Sequence, residues 1–249
     1  DIGAAAGPDR SCGGLEDLAR EYAPALEGKK LREYFQGRIR KIHGELSGRT
    51  PYPEVRVEEI WARFLRESGG PGQPRRGRDG GAEAARELAL RYELAVNPVY
   101  PMPGAREAIA RLHRNRCVMG VISNAQFFTP LLFDAFFGGL PEDLGFDPAL
   151  LIYSFEMGEA KPASRLFARA ADRLAELGIG TEQCLFVGND MFTDMYGAVS
   201  AGFRGVLFAG DGRSLRLREG DERVRGLKPS RIILSLADLP PLAVNYSSP

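Results

Sequence analysis

Residues 184–202 read CLFVGNDMFTDMYGAVSAG. The apolar run at 184–188 has the length and the aromatic and β-branched content of a buried strand, and it opens into two carboxylates, Asp190 and Asp194, on the helix that follows. Similar runs recur on either side: CVMGVIS at 117–123, LLIYSF at 150–155, GVLFA at 205–209 and RIIL at 231–234. Helical stripes lie between them. Ala105, Ala108, Ile109 and Leu112 form one; Leu166, Phe167, Ala170, Ala171 and Leu174 form another, with Pro162 as its first residue and Gly178 as its stop. Strands separated by helices of this length predict an α/β fold with a doubly wound, Rossmann-like parallel sheet covered on both faces.

Upstream of this alternation the pattern is helical only. From about 15 to 95, Leu31, Tyr34, Phe35, Ile39 and Ile42 share one face, as do Ile60, Trp61, Phe64 and Leu65, and no strand is evident. Because they share stripes with aliphatic residues, Tyr34, Phe35 and Trp61 are expected in a core. GGPGQPRRGRDGG at 69–81 has the composition of a loop, with Arg75, Arg76 and Arg78 solvated on it. The three prolines of NPVYPMPG at 97–104 suit a stiff hinge. The expected organisation is therefore a helical domain at 10–96, an α/β domain at 97–240, and tails at 1–9 and 241–249.

Composition narrows the function classes. Lys+Arg and Asp+Glu are both 33, so zero net charge argues against a chain held on nucleic acid or an anionic membrane. Only five of the basic residues are Lys, and the Arg are spread along the chain, which fits a compositional bias better than a phosphate-binding surface. Three cysteines, Cys12, Cys117 and Cys184, are too few for a disulfide framework or a Cys-rich metal site and point to a reducing compartment. No apolar run reaches the roughly 20 residues of a membrane span, so the expected location is the cytoplasm.

In an open parallel sheet, ligands bind beyond the carboxyl ends of the strands. Ser123 and Asn124 follow the first run, Lys161 follows the second through EMGEAKP, and Asp190 and Asp194 follow the third. A hydroxyl, an ammonium and two carboxylates suit a phosphoryl group with a divalent cation: donors for its oxygens, a positive charge, and hard oxygen ligands for Mg²⁺. Each alone has a plainer reading. Ser123 is an ordinary strand-end cap, Lys161 a surface lysine, Asp190 the cap of the next helix and Asp194 a solvated acid. His43 and His113 are read as surface residues, and Asp211 as a cap.

The motifs GVISNAQ, GEAKPASRLF and VGNDMFTDMYGAVSAG, taken in this order, resemble those of the haloacid dehalogenase-like hydrolases. The resemblance implies that Ser123 and Asn124 bind the phosphoryl group and that Lys161 contacts both it and the nucleophile. It implies that Asp190, then Asp194, hold Mg²⁺, with Asn189 beside them. The helical segment resembles the cap domain that this family inserts after its first strand. The implied activity is that of a Mg²⁺-dependent phosphatase acting on a small phosphorylated metabolite through an aspartyl-phosphate. A dehalogenase or phosphomutase of the same fold, or a binding protein that has lost catalysis, are the alternatives.

One family motif has no counterpart. The first strand, ending in D-x-D with its nucleophile and its acid–base carboxylate, is not found, and neither Asp1 nor Asp9 substitutes for it. That strand is central in the family's sheet, between those ending at Ser123 and at Asp190. Its loss leaves two inner edges without partners, so the sequence is expected to be a fragment that is inactive by itself.

Overall fold

The computed structural model describes residues 13–24, 28–68 and 80–246. Asp1, Asp9, Cys12 and the loop arginines Arg75, Arg76 and Arg78 lie outside the described residues. The described residues divide into two compact units, one ending at Val99 and the other beginning at Tyr100.

The named elements of the first unit are helices: α1 (Gly13–Tyr22), α2 (Gly28–Leu46), α3 (Val57–Ser68) and α4 (Gly80–Val96). The apolar stripe of α3 buries Ile60, Trp61, Phe64 and Leu65. Phe35 stacks on Trp61 at 5.2 Å between ring centroids, and Tyr92 of α4 closes on the same indole at 4.8 Å. These rings therefore form core, with Trp61 fully buried. His43 departs from its surface expectation: it is half-buried, and its Nε2 has no hydrogen-bond partner.

The second unit runs α5 (Ala105–Arg114), β1 (Met119–Ser123), α6 (Thr129–Phe137), β2 (Phe146–Tyr153), α7 (Ser154–Met157), α8 (Ser164–Glu176), β3 (Leu185–Gly188), a π-helical turn (Met191–Tyr196), α9 (Gly197–Ser200), β4 (Arg204–Phe208), β5 (Arg231–Ile233) and α10 (Leu239–Tyr246). Helix α8 buries Leu166, Phe167, Ala170 and Leu174 on the expected stripe. It begins at Ser164, so Pro162 precedes the helix. Residues 241–246, expected as tail, belong to α10, which packs against α5. Pro240 and Pro241 sit in its first turn, where a missing N–H leaves no intrahelical bond unmade.

Among the described residues all strand pairings are parallel, but the strands form two sheets: β1–β2, and β3–β4–β5. Ser123 lies opposite Tyr153, and Gly188 opposite Leu207. The register of β1 and β2 shifts between Met119 and Val121, whose partners are Phe146 and Leu151, so β2 carries extra residues there, among them Pro148, which has no N–H to donate. β1 and β3 read as fully buried runs, yet Val121, Ile122 and all of Leu185–Gly188 are only half-buried. The cause is a cleft of about 550 Å³ between them, bordered by Val121 and Ile122 on one side and Phe186 and Val187 on the other, with Leu112, Leu174 and Leu239 from the helices. Among the described residues no helix is long and apolar enough to cross a membrane.

Candidate active site

Ser123, Lys161, Asn189 and Asp194 line the polar end of this cleft, where β1 and β3 finish. Three loops deliver them. After β1 the chain turns at Asn124, whose Oδ1 accepts the Lys161 backbone N–H at 2.6 Å while its Nδ2 donates to the Lys161 carbonyl at 3.4 Å. The carboxamide is thus committed to holding the lysine loop, and Asn124 does not line the cleft. The next residue is tied down as well: Ala125 N–H donates to the fully buried Ser154 Oγ at 2.9 Å. Ser154, which the sequence did not single out, couples the ends of β1 and β2.

Lys161 Nζ donates to Asp194 Oδ1 at 2.6 Å, with side chains 9% and 6% exposed, so this is a buried ion pair and not a surface contact. The ammonium also lies 5.6 Å from the centre of the Phe186 ring. Asp194 Oδ2 accepts the backbone N–H groups of Asn189 and Asp190, both at 3.0 Å. That return is possible because the chain after β3 winds as a π turn, in which Asp194 and Met195 N–H both donate to the Asp190 carbonyl. Close approach also needs Gly188. A Cβ there would lie 2.5 Å from the Asp194 side chain.

Asp190 is buried too, but it faces elsewhere and does not line the cleft. Its Oδ1 accepts from Phe192 and Thr193 N–H at 2.8 and 3.1 Å, which makes it the cap of the π turn. Both its oxygens also take Arg218, Nε lying 3.1 and 3.0 Å away and Nη2 completing a fork. Arg218, 28 residues downstream, has no local sequence signal that would have singled it out. Burial pushes the Asp190 carboxyl up, but the Arg218 guanidinium and the two backbone donors overcome it and hold the group below the ordinary aspartate value. Asp211 closes a turn by accepting Arg213 N–H and caps no regular helix.

A carboxyl lowered by folding adds stability above the unfolded value of about 3.9 and loses it as pH falls through the folded value. The difference in unfolding free energy between wild type and Asp190→Asn, measured by urea titration, is expected to be greatest near pH 6 and to shrink steadily below pH 4. A difference that grows on acidification would contradict the pairing.

Comparison with known proteins places the chain in a family. The family model of the haloacid dehalogenase-like hydrolases matches residues 18–202, and the chain belongs to that family. It is thus a hydrolase of that fold. A 2-haloacid dehalogenase from Pseudomonas syringae pv. Tomato DC3000 is similar in structure at a TM-score of 0.59 and 20% identity, covering 99% of this chain and 96% of that one. A HAD phosphatase from Thermococcus onnurineus is similar at 0.54 and 20%, covering 93% and 86%. A predicted phosphoglycolate phosphatase from Haemophilus somnus 129pt gives 0.50 and 16%, covering 93% and 89%. At these identities the likeness is one of fold. No curated protein sequence matches the chain.

The donor set suits the Mg²⁺ that such hydrolases typically use. Mg²⁺ is usually held by one or two carboxylates, with water and substrate phosphate completing six oxygens. Asp194 lines the cleft and its Oδ1 carries one donor, Lys161 Nζ, with Asn189 beside it, whereas Asp190 stands off the cleft and each of its oxygens carries two or more donors. Among the described residues no group of three His, Cys, Asp or Glu stands together as a metal cage.

Proposed function

We propose that this hydrolase is a Mg²⁺-dependent phosphatase for a small phosphorylated metabolite. Ser123 Oγ donates to a phosphoryl oxygen, Lys161 Nζ offsets the charge that develops on the phosphoryl group, and Asn124 and Ser154 hold the loops that aim them. Asp194, with Asn189 beside it, would hold Mg²⁺, which would supply further neutralisation of the phosphoryl oxygens. The observation that carries this reading is the convergence of a hydroxyl, a buried ammonium and a carboxylate at the polar end of one cleft.

The nucleophile is the remaining part. Among the described residues lining the cleft the acid is Asp194, and both its oxygens already have partners. The nucleophilic aspartate that the family uses would reach the phosphoryl group in the cleft between β1 and β3. Its carboxylate oxygen attacks phosphorus, the alkoxide leaves with a proton from the neighbouring carboxyl, and water then cleaves the acyl phosphate. The free cysteines Cys117 and Cys184 suit the cytoplasm.

A dehalogenase reading has one observation in its favour: both acids of the motif already carry cationic partners, Lys161 and Arg218, and dehalogenation needs no metal. The two separate in one experiment. A synthetic apolar strand ending in D-x-D is added to the chain, and p-nitrophenyl phosphate and 2-chloropropionate are assayed with Mg²⁺ and with EDTA. Phosphate release that needs both peptide and Mg²⁺ is expected. Chloride release in EDTA would replace the reading with dehalogenation, and phosphate binding without any turnover would replace it with a binding protein.

A further inference from the structure

Four links join the π turn to the segment 211–218. Asn189 Nδ2 donates to the Ser214 carbonyl at 2.8 Å, Arg216 N–H to the Asn189 carbonyl at 2.9 Å, and Met191 N–H to the Arg216 carbonyl at 2.9 Å; Arg218 then forks onto Asp190. The middle two make a parallel bridge that prolongs the sheet past the end of β3. Ser214 is buried, at 2% exposure, so this strap is packed down against the motif. Arg218 itself sits at a φ of 55°, in the left-handed region that costs a non-glycine residue energy and persists where surrounding contacts hold it.

We infer that Arg218 is a positioning residue for the cation end of the site: by pinning the Asp190 carboxylate as cap of the Met191–Tyr196 turn, it holds the turn that sets Asp194 beside Asn189, where a divalent cation would be held. Geometry supports this. The Asp190 carboxylate is buried at 5% exposure, and its Oδ1 serves the guanidinium and two backbone donors together. The turn it caps is the one that returns Asp194 Oδ2 to the N–H groups of Asn189 and Asp190. Arg218 thus acts on Asp194 through two consecutive hydrogen-bonded links and touches no reacting atom.

The cation arm of this inference rests on the Mg²⁺ reading above; the backbone arm does not. Wild type, Arg218→Gln, Arg218→Lys, Asp190→Asn and Asp194→Asn are compared by amide hydrogen exchange without metal and by titration with Mn²⁺ followed by electron paramagnetic resonance. Arg218→Gln is expected to speed exchange at Asn189, Asp190, Phe192 and Thr193, leaving amides of α5 unchanged. It should also raise the half-saturating Mn²⁺ concentration by about 10- to 100-fold, the scale on which groups behind metal ligands act. Arg218→Lys should fall between, because it keeps the charge and loses the fork. Asp190→Asn should keep most of the Mn²⁺ binding, since an asparagine oxygen caps the same N–H groups, whereas Asp194→Asn should lose it.

The opposite sign overturns the inference. If Asp190 were the ligand, freeing it in Arg218→Gln would tighten Mn²⁺ binding, and Asp190→Asn would abolish it. Should wild type bind no Mn²⁺, the metal reading fails on its own account, and unchanged exchange at the four amides would still overturn the role of Arg218.

Discussion

Lys161→Met is expected to destabilise the second unit by about 3 kcal/mol and to abolish phosphate binding. The estimate comes from the cost of removing one member of a buried ion pair, about 3–5 kcal/mol, because the other charge stays buried and unpaired. Asp194 is not wholly abandoned in the variant, as its Oδ2 keeps the N–H groups of Asn189 and Asp190, so the lower end of the range applies. Pairing Lys161→Met with Asp194→Asn should restore part of the loss, since the double variant leaves no isolated charge. Urea unfolding of the two singles and the double measures this directly. Additive losses would contradict a coupled pair at 2.6 Å.

Gly188→Ala is the second large effect, and it arises from space, not from backbone conformation. The added methyl would stand 2.5 Å from Cβ, Cγ and Oδ2 of Asp194, a side chain that Lys161 and two backbone donors prevent from swinging aside. The carboxylate, the π turn or the end of β3 must move. Overpacking of this kind costs about 1–3 kcal/mol. A displacement of about 1 Å in a site residue can cost about a hundredfold in rate. Phosphate release by the strand-complemented protein is therefore expected to fall by about 100-fold, with a loss in stability too small to unfold it. Wild-type turnover in Gly188→Ala would show that the tight approach of Asp194 to β3 does not matter.

The strand ends were legible because their signals are local. Apolar runs with β-branched and aromatic residues gave each of the five strands to within a few residues, apart from the earlier start of β2, and parallel-sheet geometry then brought Ser123, Lys161 and Asp194 to one cleft. What was not legible depends on pairing at a distance. The resemblance puts Asn124 at the phosphoryl group; its carboxamide also clamps the Lys161 backbone, and nothing in a sequence says which backbone a carboxamide will meet. The resemblance puts Asp190 ahead of Asp194 as a metal ligand. The structure commits Asp190 to Arg218, a residue in an arginine-rich stretch where no single member stands out. The plainer reading of Asp190 as a helix cap is the part its geometry matches, with a π turn in place of an α-helix.

The split sheet has the same lesson for burial. The sequence of β3 reads as a strand covered on all sides, yet its four residues are half-exposed because one edge meets an open cleft. Composition reports what a strand is suited to, and not whether a neighbour stands beside it.

The most direct test of the site is isothermal titration of the chain with inorganic phosphate, in Mg²⁺ and in EDTA, beside Lys161→Met. Saturable binding that Mg²⁺ strengthens at least about tenfold, equivalent to about 1.4 kcal/mol, and that Lys161→Met loses, is the predicted result. Absence of phosphate binding in wild type, or binding that survives unchanged in Lys161→Met, would contradict a phosphoryl site built on Ser123, Lys161 and Asp194.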